Sequence, residues 1–239
     1  MKSDSSKFDI SRRNILKYGG GFIGTGLLAA AMGVETLTPS PVVAQNDMTP
    51  DQALAKLMDG NKRFATMKSK NPNQNLVRLQ ELAKGQKPFA AVLSCADSRV
   101  PVEIIFDQGL GDIFVCRDAG NIAIKEEVGS LEFGTLVLGA KILLVIGHES
   151  CGAVIATMKG GEVPGSIGTI LAQIEPAITE FMGKQDDEMA VRKAVEANVL
   201  HQIEVLKRSP IISDLVAQNK LKVVGAYYDL DTGEISLVG

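Results

Sequence analysis

Thiol and imidazole chemistry is open to only five side chains among 239 residues: Cys95, Cys116, Cys151, His148 and His201. His148 and Cys151 stand three apart, the spacing of many metal-ligand pairs, and Cys95 is placed to add a third donor from a neighbouring strand. Two thiolates and an imidazole suit a tetrahedral, borderline-soft cation such as Zn2+, one per chain, with a fourth position left open. The alternative is that both cysteines are small buried apolar side chains and His148 is a satisfied strand-end histidine. Spacing alone leaves both readings open. Cys116 falls inside an apolar run and reads as core. His201 falls in a helix of mixed polarity and reads as a surface residue.

These donors need a scaffold. Short apolar runs at 89–93, 113–116, 142–146 and 221–226 predict buried strands, and helical segments over about 101–107, 127–139, 151–158, 167–182 and 187–207 fall between them. Thr49–Pro50–Asp51 predicts a helix start, with the helix running to about Met67, and a second helix covers about 76–84. The turn 229–233 sets up an antiparallel edge strand at 235–238. The fold class is therefore α/β: a central, mostly parallel sheet of four strands plus an edge strand, flanked by helices. Cys95 and His148 then lie at the carboxyl ends of central strands, where open α/β sheets bind ligands. Cys151 begins a helix, whose dipole favours a thiolate.

Residues 1–44 read as a separate leader. Lys2, Lys7, Arg12, Arg13 and Lys17 precede a glycine-rich, weakly apolar run over 18–34 and a small-residue site at Val42–Val43–Ala44. Ser11–Arg12–Arg13–Asn14–Ile15–Leu16–Lys17 resembles a twin-arginine export signal. Cleavage after Ala44, a periplasmic or equivalent destination and no stable membrane anchor are the expectations. The domain then spans 45–239. Loss of five basic and three acidic residues takes the net charge from −3 to −5, which argues against a broad nucleic-acid surface.

Two motifs make the chemistry specific. Cys95–Ala96–Asp97–Ser98–Arg99–Val100 and Gly147–His148–Glu149–Ser150–Cys151–Gly152 resemble the paired signatures of β-class carbonic anhydrases, and the segment 115–121 resembles that family's intervening stretch. The resemblance implies reversible hydration of carbon dioxide to bicarbonate and a proton, by hydroxide generated at zinc. It implies that Arg99 holds Asp97, which either orients the attacking group or takes the fourth metal position in a closed state. It matches Gln86 to a substrate-side amide donor, and the predicted helix start separately offers the Gly152 N–H near the metal. It further implies a homodimer or a multiple of dimers. Hydrolysis of carbon disulfide or carbonyl sulfide on the same scaffold, or an inactive zinc-binding homologue, are the alternatives. Two departures stand out: Asp118 occupies a position that is often Asn and adds negative charge, and the aromatic expected between the second strand and the next helix is absent, with Ile124 nearby. Two thiolates also imply that hydration activity rises above neutral pH.

Overall fold

A computed structural model describes residues 47–239. The leader at 1–44, with its export motif, lies outside the described residues. The first helix, α1 (Pro50–Ala65), starts as expected. The Thr49 hydroxyl accepts from the Gln52 N–H at 3.2 Å, and the Gln52 amide oxygen accepts from the Thr49 N–H at 2.9 Å. The short α2 (Leu76–Leu82) is capped by Asn75 and buries none of its residues.

The sheet is built from β1 (Ala90–Cys95), β2 (Ile113–Asp118), β3 (Ile142–His148), β4 (Lys222–Tyr228) and β5 (Ile235–Val238). Their spatial order is β2-β1-β3-β4-β5. The first four run parallel, and β5 pairs antiparallel with β4. Between them come α3 (Val102–Ile105), α4 (Lys125–Glu132), α5 (Gly152–Lys159), α6 (Ile167–Ile178), α7 (Glu188–Lys207) and α8 (Pro210–Ala217). Apolar clusters cover both sheet faces: Leu57, Phe106 and Val102 on one, Leu131, Val199 and Leu206 on the other. No helix among the described residues is long and apolar enough to cross a membrane.

Three differences from the sequence reading have physical causes. All four parallel strands run two residues beyond their apolar stretches, because ladder bonds to buried neighbours continue whatever the side-chain polarity. Cys95, Asp118 and His148 are therefore the last residues of strands. The helix expected at 127–139 starts at Lys125 and widens into a π-helical turn at Phe133–Val137, where the Thr135 hydroxyl bonds back to the Leu131 carbonyl at 2.7 Å. Helix α8 was not anticipated, although Ser209 caps it through Ile212 N–H and Pro210 occupies its first turn.

The sheet's active edge depends on close helix packing. A Cβ on Gly147 would lie 2.5 Å from Val195 Cγ1 and 2.8 Å from Val199 Cγ2, so glycine there lets α7 sit directly against β3. That contact fixes the depth of the next residue, His148.

Candidate metal centre

Strand pairing brings the donors together. Neighbours β1 and β3 run parallel, with Ser94 opposite Ile146, so Cys95 and His148 finish at the same sheet edge. The chain then turns through Glu149 and Ser150 (φ 50°), and Cys151 caps the start of α5. Cys95 Sγ, Cys151 Sγ and a His148 ring nitrogen all lie within 4.8 Å of one another, and all three residues are buried.

Which nitrogen faces the group follows from hydrogen bonding. His148 Nδ1 lies 2.8 Å from the Glu149 carbonyl, so it carries the proton and donates. Nε2 is left as a lone pair, fully buried and without a partner. A buried, unpartnered acceptor facing two thiols is the arrangement a metal ligand needs before the metal arrives. The thiols fit as well. The Cys95 thiol falls to about 4, chiefly through a hydrogen bond from Cys151, with the Gly120 N–H adding to it. Cys151 is pushed well up by that same bond and by burial. Two buried sulfurs beside an imidazole nitrogen with a free lone pair suit a borderline-soft cation. None of the three cysteines is in a disulfide.

Beside the group sits an anchored carboxylate. Arg99 donates from Nε to Asp97 Oδ1 at 2.9 Å and from Nη2 to Oδ2 at 2.8 Å, and its backbone N–H adds a bond to Oδ1 at 2.9 Å. These bonds hold the Asp97 carboxyl well below the usual carboxylate range. Asp97 Oδ2 is 3.8 Å from His148 Nε2. Arg117, which lies within the segment 115–121, braces the same loop by donating to the Cys95 carbonyl at 3.0 Å and to the Asp97 carbonyl at 2.6 Å.

The other named residues are placed less uniformly. Gly152 is the exposed first residue of α5, and a Cβ there would meet nothing within 4 Å, so the helix start is open. Gln86 is exposed in the loop entering β1, with a strand length of about 16 Å between Ala90 and Cys95. The structure does not join Gln86 to the group in its own chain. Cys116 is buried in the core, and its thiol is pushed up to about 12 by burial. His201 is half-buried on α7. Asp118 does not simply add charge: burial pushes its carboxyl up to about 7, because Oδ1 accepts only the Ile122 N–H while Oδ2 is unpartnered.

Sequence reasoning also missed Asn198 and Gln202, two buried amides four apart on the apolar face of α7. The signal was available, since polar residues at core positions of an amphipathic helix mark an internal network.

The sequence model of the family described as carbonic anhydrase matches residues 90–235. The chain is 38% identical to "Carbonic anhydrase 2" of Mycobacterium tuberculosis over 193 residues, which is 79% of this chain and 92% of that protein. A Mycolicibacterium smegmatis carbonic anhydrase is 37% identical, covering 79% and 93%. Among solved structures, a tetrameric β-carbonic anhydrase of Sordaria macrospora superposes with a TM-score of 0.65 at 26% identity, covering 79% of this chain and 98% of that one. A Coccomyxa β-carbonic anhydrase bound to acetazolamide gives 0.62 at 26%, covering 77% and 86%. With a zinc-type Cys95–His148–Cys151 group on this sheet and relatives spanning nearly their full length, the chain belongs to the β-class carbonic anhydrase family of zinc enzymes.

Proposed function

We propose that this protein catalyses the reversible hydration of carbon dioxide to bicarbonate and a proton, with Cys95, His148 and Cys151 as the metal ligands. The observation that carries the reading is the unpartnered, buried His148 Nε2 converging with two thiol sulfurs beside an arginine-anchored carboxylate. Bound there, zinc supplies a Lewis acid that makes water nucleophilic near neutral pH.

The chain's own residues do the rest. Cys95 and Cys151 supply two negative charges that offset the cation. Asp97 stays ionised throughout the working range, so it accepts a hydrogen bond rather than donating one. Arg99 occupies both carboxylate oxygens in a fork, which limits rotation of Asp97 and aims its remaining lone pairs toward the metal position. The open start of α5 at Gly152 leaves room for a small, linear, uncharged substrate and offers an N–H to a product anion.

Assembly and address belong to the same reading. For Gln86 to reach the substrate, a second copy must supply it, which agrees with a homodimer or a multiple of dimers. The leader motif around Arg12 and Arg13 supports export by the twin-arginine route to the periplasm, with the metal acquired on the folded protein before transport.

Stopped-flow hydration with a pH indicator tests the activity. A rate that disappears with a chelator and returns with one equivalent of zinc is expected. Folded, zinc-loaded protein without a rate above buffer would overturn the proposal.

A further inference from the structure

The Cys95 sulfur is held by more than the metal position. Gly120 N–H donates to Cys95 Sγ at 3.3 Å. Gly120 sits at φ 81°, and a Cβ there would lie 2.6 Å from Ile174 Cδ1, so its backbone is pressed against α6 and cannot shift freely. Its carbonyl accepts from Asn198 Nδ2 at 2.9 Å. Asn198 Oδ1 in turn accepts from Gln202 Nε2 at 3.0 Å, and Gln202 Oε1 accepts from the Ala123 N–H at 2.9 Å. Gln202 Nε2 also reaches the Gln173 carbonyl at 3.2 Å. Asn198 is fully buried and Gln202 is 2% exposed, on a helix face otherwise made of Ala194, Val195, Val199 and Ile203.

Burying two amides in an apolar face carries a desolvation cost that apolar residues of similar size would avoid. The two amides bracket residues 120–123 from both ends, and the Gly120 N–H of that loop donates to the Cys95 sulfur.

We propose that Asn198, supported by Gln202, is a positioning residue for the metal thiolate: it locks Gly120 so that the Gly120 N–H stays on Cys95 Sγ. An N–H on a thiolate sulfur withdraws charge from it and fixes its direction. Removal of the lock frees the Gly120 backbone, weakens that bond, raises the energy of the sulfur lone pairs and loosens the ligand. Asn198 touches neither metal nor substrate, so it acts only through the backbone of Gly120.

The proposal rests on Cys95 being a metal ligand, and the test separates the two claims. Cobalt is loaded in place of zinc, and the near-ultraviolet thiolate-to-metal charge-transfer band is recorded for the parent, Asn198→Leu, Asn198→Ala and the core control Ile203→Ala. Zinc affinity is measured by competition with a chromophoric chelator. A parent without a thiolate band would refute the metal reading itself. With the parent band present, Asn198→Leu is expected to move it to longer wavelength and to weaken zinc binding about tenfold. Ile203→Ala is expected to lower Tm and leave the band in place. Asn198→Ala, which introduces no clash, is read in the same way if the leucine variant does not fold. Hydrogen exchange of the Gly120 amide should be slow in the parent and fast in either variant. An unmoved band and unchanged zinc affinity in the Asn198 variants, or a band that moves equally in Ile203→Ala, would overturn the role assigned to Asn198.

Discussion

Two buried polar clusters bracket the sheet, and they are finished differently. Around Asp107, whose side chain is fully buried, both carboxylate oxygens are occupied. Arg63 Nε donates to Oδ2, the Lys70 N–H reaches both oxygens, and the Asn71 N–H donates to Oδ1 at 2.8 Å. At the metal centre, His148 Nε2 has no hydrogen-bond partner, and a His148 ring nitrogen and the two cysteine sulfurs lie within 4.8 Å of one another. The first cluster ties α1 and the loop after it to the end of α3, and it is complete within the chain. The second is complete only with a cation. An unpartnered atom does not by itself mark such a site: Gln108 Oε1 and both polar atoms of Asn121 are also unpartnered. The distinction at His148 is convergence, an orphan nitrogen aimed where two sulfurs already point.

The largest effect should come from breaking that convergence. His148→Ala removes the orphan nitrogen, and metal content by elemental analysis should fall to substoichiometric levels, with hydration lost by about a thousandfold or more. Retention of full zinc by this variant would erase the contrast between the clusters. Asp97→Asn keeps shape but removes charge. Zinc should remain, while kcat falls about a hundredfold, within the range for loss of a positioned acid–base group. Equal loss of zinc and rate would instead make Asp97 a ligand.

Arg63→Ala breaks the saturated cluster. It should lower stability by about 2–3 kcal/mol, less than for a fully buried pair because Arg63 is partly exposed, with no loss of kcat per folded molecule. The pH signature is separate. Burial alone would raise Asp107, but Arg63 and the Lys70 and Asn71 N–H groups outweigh it, and its carboxyl is lowered. Its stabilisation is therefore present above the ordinary carboxylate range and is lost as pH falls through the folded value. The parent's acid unfolding limb should flatten in Arg63→Ala, read by Tm between pH 3 and pH 7.

The smallest effect is at Asp118, where the sign reverses. Its carboxyl is raised to about 7 in the folded protein by burial, against about 3.9 unfolded. The folded state holds the proton longer, so stability falls as pH rises between those values. Asp118→Asn should remove that slope and raise stability at pH 8 by about 1–2 kcal/mol, allowing for the solvent that reaches the group. A Tm profile parallel to the parent's would show that Asp118 finds a partner in solution.

The sequence by itself determined what lies within a few residues along the chain. Cys95, Asp97 and Arg99 are two and four apart, His148 and Cys151 three apart, and the Thr49–Gln52 cap three apart. Backbone geometry over such short spans leaves few arrangements, so the His148–Cys151 pair, the carboxylate–guanidinium pair and the strand–helix alternation were legible before any coordinates, while joining Cys95 to that pair rested on the family resemblance of the two motifs. Only the tertiary structure decided how remote segments meet. The strands outran their apolar stretches because neighbouring strands, not side-chain hydropathy, supplied their bonds. The depth of His148 depends on α7 approaching Gly147, some fifty residues away in sequence. Asn198 reaches Gly120 across 78 residues and Arg117 reaches Cys95 across 22. Gln86 shows the converse: nine residues from Cys95 in sequence, it is carried away because an extended strand separates them by its own length. Sequence spacing becomes distance only through the secondary structure between two residues, and beyond one element packing alone sets it.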